Sequence, residues 1–175
     1  MSLILTGNSS SLTVDSTNGI TFPNSTNQTS ASKVLQVVQA SNSTTTTTTS
    51  TSYVNTGLSA SITPLFSTSK ILVIVSQPMR IYNTTSSYLV GQWRLLRGAT
   101  AVLTIPAVLE IAATNAVSGY QISGSVPSFT YLDSPANASS QTYSTQMCIY
   151  SATSGTIEAQ NSSGTATITL MEIAA

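Results

Sequence analysis

Short runs rich in Val, Ile, Thr and Tyr, separated by clusters of Gly, Asn, Ser and Pro, recur along nearly the whole sequence. β-branched and aromatic residues favour strands, and Gly, Asn and Pro favour turns, so this pattern is typical of an all-β chain. Glu, Lys and Arg are scarce, and only residues 99–116 have a composition that would suit a helix. The ten predicted strands are Lys33–Ala40, Tyr53–Ile62, Lys70–Gln77, Leu89–Arg97, Ala101–Ile105, Tyr120–Ser125, Phe129–Leu132, Thr142–Ser151, Thr156–Gln160 and Thr165–Ile173.

Two of these runs indicate which faces are buried. In Thr165–Leu170 every second residue is Thr and the others are apolar, which predicts an antiparallel strand with one buried face. Ile71–Val75 is apolar throughout, so we expect this strand to be central or to be covered on both faces. Ten short strands over residues 33–175 therefore predict an antiparallel β-sandwich of jelly-roll type.

A tract of Thr and Ser over residues 41–52 follows the first predicted strand. Thr is β-branched and suits a solvated strand at the edge of a sheet, whereas low complexity is also common in loops. We favour the strand, with a loop as the alternative.

Residues 1–32 carry only isolated apolar side chains, set between turn-forming Asn-Gly and Pro-Asn pairs. Leu12, Val14, Ile20 and Phe22 are too sparse to bury a core within one chain. They would bury one if copies of the segment were intertwined in a trimer, and a flexible polar arm is the alternative. We therefore divide the chain into an N-terminal arm for trimerisation or attachment, residues 1–32, and a β-sandwich domain, residues 33–175.

The composition excludes several classes of function. The 175 residues include five Lys or Arg, five Asp or Glu, one Cys and no His, with no net charge. No His-ligated metal, thiolate cluster or His-dependent triad can form, and we expect no cofactor. A neutral chain also lacks the basic surface that nucleic acids and anionic membranes attract, so we expect neither as a partner. Cys148 lies in an apolar run and is predicted to be a small buried side chain.

The carboxylates give little support for an enzyme. A glycosidase needs two carboxyl groups facing each other across the sugar, and no two of the five lie in one local motif. Asp133 and Glu158 are the only pair that merits a test. We predict that the chain is not an enzyme.

The aromatic residues offer candidate contacts with a host receptor. Trp93 shares its side of a predicted strand with Leu95, so we expect it in the core. Tyr82 and Tyr88 flank a polar Asn-Thr-Thr-Ser-Ser segment that reads as an exposed loop, and we assign them as candidate receptor contacts.

Two arginines in one predicted strand stand out in a chain with so little charge. Arg94 and Arg97 could form ion pairs with Glu110 or Glu172, within one subunit or across an interface. Ordinary solvated side chains are the alternative. Arg94 joins Leu12, Val14, Ile20 and Phe22 as candidate assembly contacts.

Residues 12–31, which include Gly19-Ile-Thr-Phe-Pro-Asn24, resemble a segment of tailed-bacteriophage fibre and virion structural proteins, where a GITFPDGT-Q-S/T-A pattern precedes a β-rich domain. This chain has Asn-Ser where that pattern has Asp-Gly, which removes the glycine of the turn. The order of the later pieces is also similar to the small β domain of such proteins. These pieces are Lys33–Gln39, Tyr53–Pro64, Ser69–Val73, Arg94–Gly98 and Thr167–Ile173.

The resemblance implies a non-enzymatic virion component, made in the host cytoplasm without a signal peptide and located on the virion exterior. It implies a homotrimer that contacts other virion proteins of the capsid or tail, and a host surface glycan is a further candidate partner. Two subclasses compete: a short tail fibre or spike for host attachment, and a capsid decoration protein. A carbohydrate-binding host-adhesion module is the alternative from another class.

Overall fold

The computed structural model describes residues 20–21, 27–28, 33–83, 88–111, 121–151 and 155–175. The chain divides into two compact units, Met1–Lys33 and Val34–Ala175. In the first unit, strands β1 (Ile20–Thr21) and β2 (Asn27–Gln28) pair antiparallel.

The second unit is built almost entirely of strands. A single turn of 3₁₀ helix, Asn161–Ser163, interrupts them. The strands are β3 (Val34–Asn42), β4 (Thr46–Thr48), β5 (Val54–Ile62), β6 (Lys70–Ser76), β7 (Met79–Asn83), β8 (Leu89–Arg97), β9 (Thr100–Ile111), β10 (Gln121–Ser125), β11 (Ser128–Asp133), β12 (Gln141–Ser151), β13 (Thr156–Ala159) and β14 (Ala166–Ile173).

One layer is a four-stranded antiparallel sheet in the order β5-β12-β8-β9, called here the β5 sheet. The other layer consists of two four-stranded antiparallel pieces. Their orders are β11-β6-β14-β3, the β3 half-sheet, and β10-β7-β13-β4, the β4 half-sheet.

The two half-sheets are successive parts of the same four chain runs. Each strand of one continues into the strand at the same position in the other, as β6 continues into β7 through Gln77 and Pro78. Backbone hydrogen bonds from Gln77 N to Pro127 O (3.0 Å) and from Gln160 N to Pro78 O (2.8 Å) cross the junction. Successive runs alternate between this layer and the β5 sheet, except that β8 and β9 are neighbours in the β5 sheet, and this is the strand order of a jelly roll. The predicted all-β sandwich is confirmed.

The core lies between the layers, where most inward-facing strand residues are apolar. Ile71, Val73 and Val75 of β6 are fully buried there, so β6 is central, as predicted. Trp93 is also fully buried and packs edge-to-face on Phe129, with ring centroids 4.7 Å apart. The prediction that Trp93 belongs to the core is therefore confirmed.

Four buried polar side chains fill the junction between the half-sheets. The hydroxyls of Thr56 and Thr145 lie 2.5 Å apart, and Thr145 donates to Gln77 Oε1 at 3.0 Å. The Gln160 amide, oriented by this network, accepts from Gln77 Nε2 at 2.7 Å and donates to the carbonyls of Ala159 and Thr56. Interrupted strands leave backbone groups without ladder partners, and these side chains supply partners instead.

The sequence found ten of the strands of the second unit but not all of them. The Thr tract is only partly strand, because β4 spans three residues at a sheet edge and loops flank it. The region considered for a helix contains the strand β9 instead. β7 was missed, because Pro78 before it and polar residues after it read as turns, although Met79 and Ile81 alternate with Arg80 and Tyr82.

Candidate functional site

An apolar row crosses the outer face of the β3 half-sheet. Strand register places Leu132 opposite Leu72, Leu72 opposite Met171, and Met171 opposite Val37, so one residue comes from each of the four strands. Paired residues of antiparallel strands point to the same face. Both neighbours of Leu72 and both neighbours of Met171 in the chain are buried, so the row itself faces away from the core.

The apolar row is exposed at both ends. Val37 is 56% exposed and Leu132 is 50% exposed, and Ile74 on the same face is 38% exposed. Together these side chains present roughly 300 Å² of apolar surface, the size at which the largest patch of a monomer is often functional. On one side of the row the paired positions are Thr130, Thr169 and Gln39, which are uncharged, and on the other side the exposed Lys70 is paired with Ile173.

Glu172 fixes an exposed turn at one end of this half-sheet. Its Oε1 accepts from the backbone N–H of Leu65 (2.8 Å) and Phe66 (3.4 Å), and its Oε2 accepts from Gln36 Nε2 (2.6 Å). Burial alone would raise the pKa of Glu172, but these hydrogen bonds outweigh it and lower the pKa. The buried carboxylate therefore holds Leu65 and Phe66, which are both more than half exposed.

A polar groove of about 480 Å³ lies on the β4 half-sheet. Tyr82 of β7 is paired with Thr156 of β13, so both point to one face. The groove is lined by Thr47, Thr48, Thr49, Tyr82 and Thr156.

An ion pair supports the aromatic wall of this groove. Glu158, two residues after Thr156 and nearly buried, accepts from Arg80 Nε at 2.7 Å and also from Arg80 Nη2. The Arg80 guanidinium carbon lies 5.5 Å from the centroid of the Tyr82 ring, within the range of a cation–π contact. The guanidinium of Arg80 thus contacts the Tyr82 ring, and the buried carboxylate of Glu158 holds that guanidinium in place.

The structure separates the two candidate receptor residues. Tyr82 lines the groove, whereas Tyr88 precedes β8 and its hydroxyl is hydrogen-bonded to Glu110. Residues 84–87 between them lie outside the described residues. A receptor role for either residue stays a prediction.

The candidate assembly residues of the arm are mostly untested. Leu12, Val14 and Phe22 lie outside the described residues, and only the backbone of Ile20 is described, in β1. Their part in trimerisation stays a prediction.

The ion pairs expected within the chain for Arg94 and Arg97 are wrong. Arg94 is paired in register with Gln146 and donates to its Oε1 from Nε (2.8 Å) and Nη2 (2.5 Å). Its guanidinium also lies 3.7 Å from the centroid of the Tyr53 ring. Arg97 pairs with Asp133 at 2.6 Å. Register places Gln146 beside Arg94, whereas Asp133 belongs to β11 of the other layer and contacts Arg97 from there. Both partners come from strands distant in sequence. Whether Arg94 also contacts another subunit stays a prediction.

Both members of the only carboxylate pair considered for catalysis are held by other residues. Asp133 Oδ2 accepts from Arg97 and from the Tyr143 hydroxyl (2.7 Å), and burial together with this bond raises the pKa of Tyr143. Glu158 is held by Arg80. Among the described residues, no three His, Cys, Asp or Glu side chains are placed to hold a metal ion.

Cys148 is buried, as predicted. Burial raises the pKa of its thiol, although a hydrogen bond with Tyr53 and the charge of Arg94 act in the opposite direction. A thiol in this state is a poor nucleophile.

Sequence reasoning missed the apolar row because its four members lie in four runs distant in sequence. The signal that was present is the unbroken apolar run Ile71–Val75, which implied that the outer face of one strand would carry Leu72 and Ile74.

No protein-family model matches the chain, and no curated protein is significantly similar to it. Solved structures of infectious bursal disease virus are similar in fold. The structure of its Gx strain matches 80% of this chain at 11% identity with a TM-score of 0.31. The crystal structure of its VP2 subviral particle matches 79% at 10% identity with a TM-score of 0.32. The chain spans 37% and 38% of those two proteins. Among the described residues, no helix is long and apolar enough to cross a membrane.

Proposed function

We propose that this chain is a non-enzymatic virion structural protein that forms a homotrimeric appendage on the virion exterior, either a short tail fibre or spike or a capsid decoration protein. Jelly rolls are used in viral capsids, although a fold alone does not determine a function. The trimer is proposed from the resemblance of residues 12–31 to fibre segments and from the surface described next.

The apolar row is the observation that carries the proposal. A monomer in water gains nothing from exposing four apolar side chains in line across a sheet, whereas three copies that turn this face toward a common threefold axis would remove them from water. A standard interface buries about 800 Å² per partner, with an apolar centre and a polar rim. The row provides the centre, Thr130, Thr169 and Gln39 provide an uncharged rim on one side, and Lys70 lies at the rim on the other side.

The surface chemistry fits an exterior component. Among the described residues, three carboxylates, Asp133, Glu158 and Glu172, are buried, whereas Ser and Thr occupy the outward positions of several strands. A surface of hydroxyl groups with few charges changes little with pH or salt. Because Asp133 and Glu158 are each engaged by an arginine, neither supports a catalytic role.

The test is the mass of the full chain in solution, measured by light scattering over a range of micromolar concentrations. We expect a trimer. The double variant Val37→Thr with Leu132→Thr places a residue type that favours strands at both positions. It removes apolar area from both ends of the row. We expect this variant to dissociate at a concentration at least about tenfold higher than the unmodified chain.

Ile122→Thr with Val126→Thr is the matched control, because these apolar side chains are equally exposed but lie away from the row. We expect this control to stay trimeric. An unmodified chain that is monomeric at micromolar concentration would contradict the trimer, and equal dissociation of both variants would contradict the row as its interface. Copy number per particle then separates the subclasses, since a tail appendage is present in few copies and a decoration protein in many.

A further inference from the structure

The polar groove on the β4 half-sheet differs from the rest of the surface in its chemistry. Its wall consists of four threonine residues, Thr47, Thr48, Thr49 and Thr156, together with the ring of Tyr82. Among the described residues, no side chain that lines the groove is charged and none is aliphatic without a hydroxyl. The volume of about 480 Å³ lies within the roughly 300–1,000 Å³ typical of sites for small ligands.

Hydroxyl groups and one aromatic ring are complementary to a sugar. Each threonine hydroxyl can donate one hydrogen bond and accept others, so a row of them can pair with the hydroxyls of a sugar ring in either sense. The C–H face of a sugar is apolar and packs on the face of an aromatic ring, while its edge carries the hydroxyls. An uncharged lining gives no preference to an anionic ligand.

The aromatic wall is preorganised. Arg80 is held on the Tyr82 ring, and Glu158 holds Arg80 through its Nε and Nη2 atoms. Because this chain of contacts fixes the ring before any ligand arrives, little side-chain freedom is lost on binding. Strand pairing fixes Thr47 and Thr156 on the face that carries Tyr82, since Thr47 pairs with Glu158 and Thr156 pairs with Tyr82. The side chain of Thr48 points to the other face, and its Oγ1 accepts from Ser50 N at 3.0 Å.

We propose that this groove is a binding site for a neutral carbohydrate, with Tyr82 as the stacking residue and the threonines as hydrogen-bond partners. A short oligosaccharide lies along the edge strand β4, and one ring covers Tyr82. The inference does not depend on trimer formation, because all five lining residues belong to one chain.

A second polar groove shows what is special about this one. It has about 250 Å³ and is lined by Asn55, Gly57, Leu58, Ser59, Thr142, Ser144 and Thr145. It has hydroxyl groups but no aromatic ring, so it offers no surface for stacking.

The experiment uses the full chain and soluble neutral oligosaccharides built from glucose, galactose, mannose or N-acetylglucosamine, with binding followed by saturation-transfer NMR and calorimetry. Soluble probes report the affinity of a single groove, without the gain from several linked sites. We expect at least one neutral probe to bind at millimolar affinity or better. A sialylated or uronic-acid probe should bind no better than its neutral counterpart.

Tyr82→Ala should weaken binding at least about tenfold, whereas Tyr82→Phe, which keeps the ring, should retain most of it. Thr156→Val, which keeps the shape and removes one hydroxyl, should weaken binding several-fold. Tyr150→Ala is the matched control, because Tyr150 is 65% exposed but lies on β12 outside the groove. It should leave affinity unchanged.

Failure of every neutral probe to bind, with the chain folded, would overturn the proposal. So would unchanged affinity in both Tyr82→Ala and Thr156→Val, or an equal loss in Tyr150→Ala. Preferential binding of the anionic probes would overturn the assignment to neutral sugars. These outcomes are independent of the proposed trimeric appendage, because the trimer is tested by the mass of the chain in solution and not by sugar binding.

Discussion

The junction between the half-sheets gives the sharpest test of how this fold is held together. Gln160 is fully buried. Its side-chain amide accepts a hydrogen bond from Gln77 and donates hydrogen bonds to backbone carbonyls. Gln160→Met removes the amide and keeps nearly the same length and volume. The change therefore isolates the hydrogen bonds from the packing.

The magnitude follows from the groups that lose a partner. Gln77 Nε2 loses its acceptor at 2.7 Å, and the carbonyls of Thr44, Ala159 and Thr56 lose a donor at 3.0–3.3 Å. Thr56 O keeps a hydrogen bond from Thr46 Oγ1, so it contributes least. Each buried group left without a partner costs about 1–3 kcal/mol, and burial of the methionine side chain offsets a part. We expect a loss of about 2–4 kcal/mol in the free energy of unfolding.

Urea denaturation followed by tryptophan fluorescence measures this loss, because Trp93 is the only tryptophan and is fully buried. With a slope of about 2 kcal/mol per molar urea, the midpoint should fall by about 1–2 M while the slope stays constant. Gln39→Met is the matched control. Gln39 is exposed and its Nε2 donates to Thr169 Oγ1 (2.9 Å) at the surface, so we expect a change within about 0.5 kcal/mol.

The reasoning is refuted if Gln160→Met lowers the midpoint no more than Gln39→Met does. That result would mean that water reaches the junction and replaces the lost hydrogen bonds. A changed slope would instead indicate that the unfolded or native state itself had altered, and the midpoint alone would then not measure stability.

Three further predictions concern single residues. The pKa of Glu172 is lowered in the folded state, so its carboxylate stabilises the fold above about pH 4.5. This contribution is lost as the pH falls through the pKa of the folded state. Glu172→Gln should therefore flatten the dependence of the melting temperature on pH in that range. Gly164→Ala should cost about 1–3 kcal/mol in thermal unfolding, because a Cβ there would lie 2.9 Å from the ring of Pro78, whereas Gly124→Ala meets only ordinary contacts and should change little. Cys148 should react with a disulfide reagent only as fast as the chain unfolds, and rapid labelling of the folded protein would contradict its burial.

The strands could be predicted because their signal is local. As far as Leu170, β14 alternates Thr with apolar residues, and the buried positions there are the apolar ones, as the sequence indicated. β7 escaped because Arg80 and Tyr82 dilute a short strand, and only the partner strands β10 and β13 show that its backbone belongs to a sheet.

The surfaces could not be predicted, since each depends on register. Leu132 and Val37 share the apolar row only because two intervening strands align them, and no spacing along the chain encodes that alignment. Tyr82 was singled out for its exposure beside a polar loop, but its position next to Thr156 and the Thr tract follows from pairing of β7, β13 and β4. The burial of Gln77 and Gln160 could not be predicted either, because glutamine side chains are mostly exposed in proteins. They are buried here because the interrupted strands leave backbone groups that need hydrogen-bond partners.

The few charges of this chain act mainly inside it. Glu172 holds a turn, Asp133 joins Arg97 to Tyr143, and Glu158 orients Arg80. With these carboxylates engaged, the contacts proposed with other molecules use apolar area and hydroxyl groups, which the apolar row and the threonine groove offer. Such contacts are screened little by salt, because they involve no net charge. The scarcity of charge, from which we expect neither nucleic acid nor membranes as partners, also agrees with the two partners proposed here: a copy of this chain and a neutral sugar.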